Sequence, residues 1–98
     1  MNGPIEVETH VDPLTDPLSV VNLRIRTETG KRTIVLKMLI TDTISQVYKL
    51  TTPYSESEKF ELRTNFPNRV YKPSDKAGLK ELGLAPSAVL IMRDISIA

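Results

Sequence analysis

The chain of 98 residues has no cysteine, no tryptophan, one histidine and only five phenylalanine or tyrosine residues. Without cysteine it has no disulfides and no thiolate chemistry, which suits a protein of the cytoplasm or nucleus. His10 stands in a segment that has no cluster of metal-ligand residues, and we interpret it as a solvated tail residue. We therefore expect no bound metal and no other cofactor.

The charge is nearly balanced, because 13 lysines and arginines oppose 12 acidic residues for a net charge of +1. The basic residues are spread along the chain and do not alternate with aromatic ones, which argues against a nucleic-acid surface. No apolar run approaches the roughly 18 residues of a membrane span, and we expect no signal peptide. This length predicts one small domain, which we expect to be monomeric.

Residues 1–19 are predicted to form a flexible tail or linker, because prolines interrupt this segment and acidic residues charge it. The residues in question are Pro4, Pro13, Pro17, Glu6, Glu8, Asp12 and Asp16. Ile5 and Val7 alternate with polar neighbours, but the pattern is too short to predict a strand. Residues 95–98 are predicted to form a C-terminal tail, which leaves a domain at 20–94.

The first half of this domain is predicted to be a β-hairpin followed by a helix. Apolar and polar residues alternate over 21–26 and 33–38, on either side of a turn in which Gly30 supplies a positive φ. Thr43 and Gln46 have the spacing of a capping box. Apolar residues follow at helical spacing, and Pro53 ends the helix.

The second half is predicted to contain three strands and a short helix. Residues 60–63 alternate in polarity, and a short strand is expected near 70–71. Leucines over 79–84 indicate a short helical turn that ends at Gly83. The last strand, 88–93, is mostly apolar, which is typical of a central strand.

This order of elements predicts an α+β fold. The apolar face of the hairpin is the only surface on which the helix can pack, and the last strand then completes the sheet at its centre. The expected architecture is a β-grasp, in which a mixed sheet of about five strands packs on one helix, with an additional short helix.

The turn Thr64–Arg69 is unusual because a large aromatic residue precedes a proline. Pro67 fixes its own φ and keeps Phe66 out of the helical region, so the turn is stiff. From the residues alone, two interpretations stay open. Either Phe66 packs on the core and Pro67 only bends the chain, or the turn presents Phe66 beside an arginine as a contact surface.

Several motifs resemble known families. Gly30-Lys31, the alternation from Ile34 to Met38 and the segment Asp42–Val47 resemble ubiquitin in spacing and residue type. Three later segments resemble the motifs of a UBX domain, namely Phe60–Arg69, Leu79–Leu84 and Pro86–Leu90. The resemblance covers about residues 20–94.

The resemblance implies an adaptor function. UBX domains keep the ubiquitin fold and dock on the N-terminal domain of the hexameric AAA ATPase called valosin-containing protein, in ubiquitin-dependent protein handling. The family binds through an arginine of the first strand and a Phe-Pro-Arg turn. These positions fall here on Arg26 and on Phe66, Pro67 and Asn68.

The turn departs from the family pattern at its third position. Asn68 stands where arginine is commonest, with Arg69 directly after it, which weakens the expectation of a tight complex. The bond before the proline is often cis in the family, so the resemblance implies a cis Phe66–Pro67 bond. For Arg26, the alternative is a solvated strand arginine that pairs with a glutamate.

Other functions of the same fold remain alternatives. A Ras-binding type of domain binds a small GTPase through its edge strand, for which Lys31, Arg32 and Lys37 supply basic residues. A covalent modifier requires a tail that ends in Gly-Gly, and this chain ends at Ala98. We expect no enzyme, because no paired carboxylates share a face and no glycine loop suits a phosphate.

Overall fold

The computed structural model describes residues 3–65 and 68–96, which form a six-stranded mixed sheet with one α-helix on one face. This arrangement confirms the predicted α+β, ubiquitin-like β-grasp architecture. In chain order the elements are β1 (Ile5–Glu6), β2 (Val20–Arg26), β3 (Thr33–Leu39), α1 (Ile44–Thr51), β4 (Phe60–Asn65), β5 (Asn68–Tyr71) and β6 (Ser87–Asp94). Two short 3-10 helices lie at Pro17–Ser19 and Thr52–Tyr54.

The strand order in the sheet is β1-β3-β2-β6-β4-β5. The last strand, β6, lies between β2, to which it is parallel, and β4, to which it is antiparallel. Its predicted central place is therefore confirmed. The predicted β2–β3 hairpin is also present, and Gly30 in its turn has a φ of +74°.

The core lies between the inner face of the sheet and α1. Alternate residues of each long strand point inward, as the period of two requires. The fully buried side chains are Val21, Leu23, Ile25, Ile34, Leu36, Met38, Ile44, Val47, Leu62, Leu79, Leu90 and Met92. The other residues of β2, β4 and β6 form an outer sheet face that the helix does not cover.

Helix α1 begins with the predicted capping box. The Thr43 hydroxyl accepts a hydrogen bond from the N–H of Gln46, and the Gln46 side chain accepts one from the N–H of Thr43 at 2.8 Å. The helix buries Ile44, Val47 and Thr51 against the sheet, together with Tyr48. The 3-10 turn that contains Pro53 follows the helix directly.

Residues 3–19, which belong to the predicted flexible tail or linker, include a short strand that pairs with the sheet. β1 lies parallel to β3, with Ile5 opposite Ile34, and the N–H of Val7 donates to the carbonyl of Val35. His10 is exposed, but its Nε2 lies 2.8 Å from the buried Asp42 carboxylate. The two-residue strand is stabilised by a partner distant in sequence, which its own short pattern did not reveal. The domain boundaries at 20 and 94 stay a prediction.

The segment around Leu79–Leu84 forms hydrogen-bonded turns instead of the short helix that was expected. The N–H of Leu84 donates to the carbonyl of Leu79 at 3.1 Å, and both leucines are buried. Gly83 ends the turn with a φ of +76°, as predicted for its position. The segment is too short to gain much from a regular helix, and a compact turn is enough to bury both leucines.

Candidate partner-binding site

The β4–β5 hairpin carries the predicted site. Its residues pair in register as Leu62 with Tyr71, Arg63 with Val70, Thr64 with Arg69, and Asn65 with Asn68. Phe66 and Pro67 connect the two strands and lie outside the described residues. The predicted exposure of Phe66 and the predicted cis bond before Pro67 therefore stay predictions.

Tyr48 of α1 holds this hairpin on the helix. Its hydroxyl donates to the carbonyl of Tyr71 and accepts from the N–H of Leu62 at 2.8 Å. Its ring stacks on Phe60, with the centroids 5.3 Å apart. Burial raises the pKa of the Tyr48 phenol, so at neutral pH the hydroxyl keeps the proton that it donates. The two strands that flank the turn are thus fixed to the body of the domain.

Arg26 lies at the end of β2 and is exposed on the outer sheet face. The register places it beside Ile91 of β6, which is in turn beside Arg63 of β4, which pairs with Val70 of β5. One row of side chains therefore runs from Arg26 to the hairpin that carries the turn. Within residues 3–65 and 68–96, no carboxylate lies within 4.0 Å of the Arg26 guanidinium, so the alternative of a pairing glutamate is not observed.

Asn68 accepts a hydrogen bond from Arg63. The Nη2 atom of Arg63 lies 2.5 Å from the Oδ1 atom of Asn68, and both residues belong to the outer sheet face. An arginine at position 68 has no acceptor and could not make this contact. Asn68 thus contacts the Arg63 guanidinium at the base of the turn.

Arg69 does not share this face. It pairs with Thr64, which is buried on the helix side of the sheet, and alternation along the strand places the Arg69 side chain on that side. The structure thus brings Arg26 and Asn68 to one face and separates Arg69 from them. Arg69 is nevertheless exposed at the sheet edge and remains part of the predicted site.

Apolar surface accompanies the arginines of the outer face. Val89 is 57% exposed and Val70 is 49% exposed, and Ile91 between them is half-buried. Arg24 lies beside Val89 in the row next to Arg26. Sequence reasoning missed Arg63 and Val89 as candidates. The alternation on β4 was visible in the sequence, but the apolar run of β6 did not show which of its residues are exposed. The place of both residues near Arg26 depends on the strand register.

The edge strand required by the GTPase alternative is partly covered. β1 pairs with β3 at Ile34 and Val35, and the Thr9 hydroxyl donates to the carbonyl of Lys37 at 2.5 Å. Lys31 and Arg32 lie in the turn before β3, where both are exposed. The structure therefore gives this alternative no open edge at the centre of β3.

Metal-ligand residues do not converge in the part of the chain that the structure describes, where no group of three His, Asp or Glu side chains could hold an ion. Across the same residues, no helix combines the length and the apolar character that crossing a membrane requires.

The comparisons with known proteins agree with this architecture. The UBX domain family matches residues 16–94. Over 73 residues the chain is 38% identical to UBX domain-containing protein 11 of Mus musculus. This alignment covers 72% of the chain and 15% of the mouse protein. Over 79 residues the chain is 38% identical to the Rattus norvegicus protein of the same name, covering 79% of the chain and 16% of that protein. The chain thus spans about a sixth of the length of these relatives.

A solved structure shares the fold. A designed protein, described as based on ubiquitin, superposes with a TM-score of 0.62 at 23% identity and covers 82% of this chain and 94% of its own. The match to the family over residues 16–94 and the 38% identity to the two relatives show the family of this chain. The chain belongs to the UBX domain family, whose members are ubiquitin-like adaptor modules.

Proposed function

We propose that this UBX domain docks on the N-terminal domain of the AAA ATPase valosin-containing protein, through the Phe66–Pro67 turn and Arg26. Binding to this ATPase is typical of UBX domains. The observation that carries the proposal is the row from Arg26 through Ile91 to Arg63 and Val70, which joins an exposed arginine to the hairpin of the turn. The proposed setting is ubiquitin-dependent protein handling in the cytoplasm or nucleus.

Phe66 is the main apolar anchor in this proposal. Burying a phenylalanine side chain fully in a partner groove is worth roughly 1.5–3 kcal/mol. Pro67 restricts the turn before binding, so less conformational entropy is lost when the complex forms. The stacked and hydrogen-bonded contacts of Tyr48 restrain the two strands that flank the turn in the same way.

Arg26 is the polar anchor. Its guanidinium is exposed and forms no ion pair with the described residues, so an acidic group or a carbonyl of the partner can accept its hydrogen bonds. Two anchors and a small rim suggest micromolar affinity, about −8 kcal/mol. Asn68 adds hydrogen-bonding capacity without charge.

A chemical-shift titration of the ¹⁵N-labelled 98-residue chain with the isolated ATPase N-domain tests the proposal. We expect the largest shifts at Arg26, Asn68, Val70 and Ile91, which share the outer face. Lys49 on α1 should show little change, because the helix lies on the other side of the sheet. Shifts confined to α1 or to β1, or no shifts at all, would overturn the proposed site.

A further inference from the structure

The contact between Arg63 and Asn68 distinguishes this turn from one with arginine at its third position. Arg63 pairs with Val70, and Asn68 lies two residues before Val70 on the same face, so the two residues are diagonal neighbours across the hairpin. Their 2.5 Å hydrogen bond joins Nη2 to Oδ1. Asn68 accepts this bond and thereby fixes the direction of the Arg63 guanidinium at the base of the turn.

The Arg63 guanidinium has N–H donors that make no hydrogen bond within the described residues. It lies between Ile91 and Val70 in its row and is half-buried. Its Nε is buried and finds no hydrogen-bond partner among residues 3–65 and 68–96. A guanidinium has five N–H donors, and the Asn68 contact occupies one of them. An ordered, partly desolvated guanidinium of this kind favours a charged acceptor.

The charge of Arg63 is also unbalanced within the described chain. No carboxylate there lies within 4.0 Å of it, and the nearby Glu61 on the same strand face lies 4.0 Å from Arg93 instead. Arg26 stands on the other side of Ile91. Two arginines thus flank one apolar residue on the outer face, and their backbones are two strand spacings apart, or about 10 Å.

We propose that Arg63, oriented by Asn68, is an additional binding residue that receives an aspartate or glutamate carboxylate of the ATPase N-domain. Asn68 is then a positioning residue that acts through Arg63. In this chain, Arg63 of β4 provides the positive charge that an arginine at the third turn position provides in the family pattern. This inference rests on the proposed function, since it concerns the same partner and the same face.

Calorimetric titration of the 98-residue chain against the ATPase N-domain at several salt concentrations tests the inference. The variants are Arg63→Ala, Asn68→Ala and their double substitution. Lys49→Ala on the helix is a control for the loss of one positive charge, and Phe66→Ala reports on the turn itself. Each variant is first checked for the wild-type pattern of backbone amide signals.

We expect Arg63→Ala to weaken binding about tenfold, or ~1.4 kcal/mol, and to make the affinity less dependent on salt. Asn68→Ala should weaken it about threefold, by releasing the guanidinium from its orientation. The double variant should be no weaker than Arg63→Ala alone, because Asn68 acts only through Arg63. The affinity of Lys49→Ala should stay within about twofold of wild type. Lys49 lies on the helix side of the sheet, away from the proposed site, and salt screens its charge there.

Three results would overturn the inference. Loss of binding with Phe66→Ala, together with wild-type affinity for Arg63→Ala, removes Arg63 from the site and leaves the proposed function standing. Additive losses in the double variant mean that Asn68 contacts the partner independently of Arg63. A wild-type chain that does not bind the N-domain refutes the proposed function, and this inference fails with it.

Discussion

The hydroxyl of Tyr48 accepts a 2.8 Å hydrogen bond from the backbone N–H of Leu62, a residue 14 positions later in the chain. The same hydroxyl donates to the carbonyl of Tyr71, which is the register partner of Leu62 on β5. One helical side chain therefore contacts the main chains of both strands that carry the turn. The position of the turn relative to the sheet depends on this contact.

The substitution Tyr48→Phe should destabilise the domain by about 1–3 kcal/mol, because it leaves a buried N–H and a buried carbonyl without their partner. Urea unfolding monitored by circular dichroism measures the change. Tyr54→Phe is the matched control, since Tyr54 is only half-buried and its hydroxyl makes no hydrogen bond in the described structure. Equal unfolding free energies for the two variants would contradict this role of Tyr48.

The stability of the domain should depend on pH through Glu28. Burial raises the pKa of this carboxyl, but hydrogen bonds from Ser57, from Ser55 at 2.7 Å and from the N–H of Glu56 outweigh it and hold the pKa below its ordinary value. Because the folded state favours the ionised form, its contribution is present above the unfolded pKa of about 4.3 and is lost as pH falls through the folded pKa.

Glu28→Gln should therefore lower the unfolding free energy at neutral pH, and the difference from wild type should shrink as the pH falls through the folded-state pKa of Glu28. Urea unfolding at a series of pH values provides the measurement. Glu58→Gln is the control, because Glu58 is exposed and makes no hydrogen bond or ion pair within the described residues. A Glu28→Gln effect that is the same at every pH would refute this account of the carboxylate.

The capping box predicts a further effect on stability. Thr43→Ala removes the hydroxyl that accepts from Gln46 at the start of α1, and it should cost about 1 kcal/mol. Ser45→Ala, two residues later in the first turn of α1, removes a hydroxyl that makes no hydrogen bond in the described structure and should cost less. Thermal unfolding compares the two, and a larger loss for Ser45→Ala would contradict the assignment of the cap.

Much of the fold was predictable because it depends on local signals. The alternation over β2 and β3, the positive φ of Gly30 and the Thr43–Gln46 box each depend on residues within a few positions of one another. The central place of β6 followed from its apolar composition. Each of these features can therefore be predicted from one short segment of the sequence.

The remaining features depend on pairing between distant segments. β1 is only two residues long and is held by β3, which lies almost 30 positions later. The Tyr48 contacts and the row that places Arg63 beside Ile91 and Arg26 require the strand register, which no single segment contains. For the same reason Asn68 was interpreted from the family pattern alone, without its Arg63 partner.

The most direct test of the account is the affinity of the 98-residue chain for the intact ATPase hexamer, compared with that of its Phe66→Ala and Arg26→Ala variants. Arg32→Ala, in the exposed turn before β3, is the control for the loss of an arginine. We predict micromolar binding by wild type and Arg32→Ala, and loss of at least about tenfold in each of the other two, with folding unchanged. Undiminished binding by both Phe66→Ala and Arg26→Ala would contradict the proposed function.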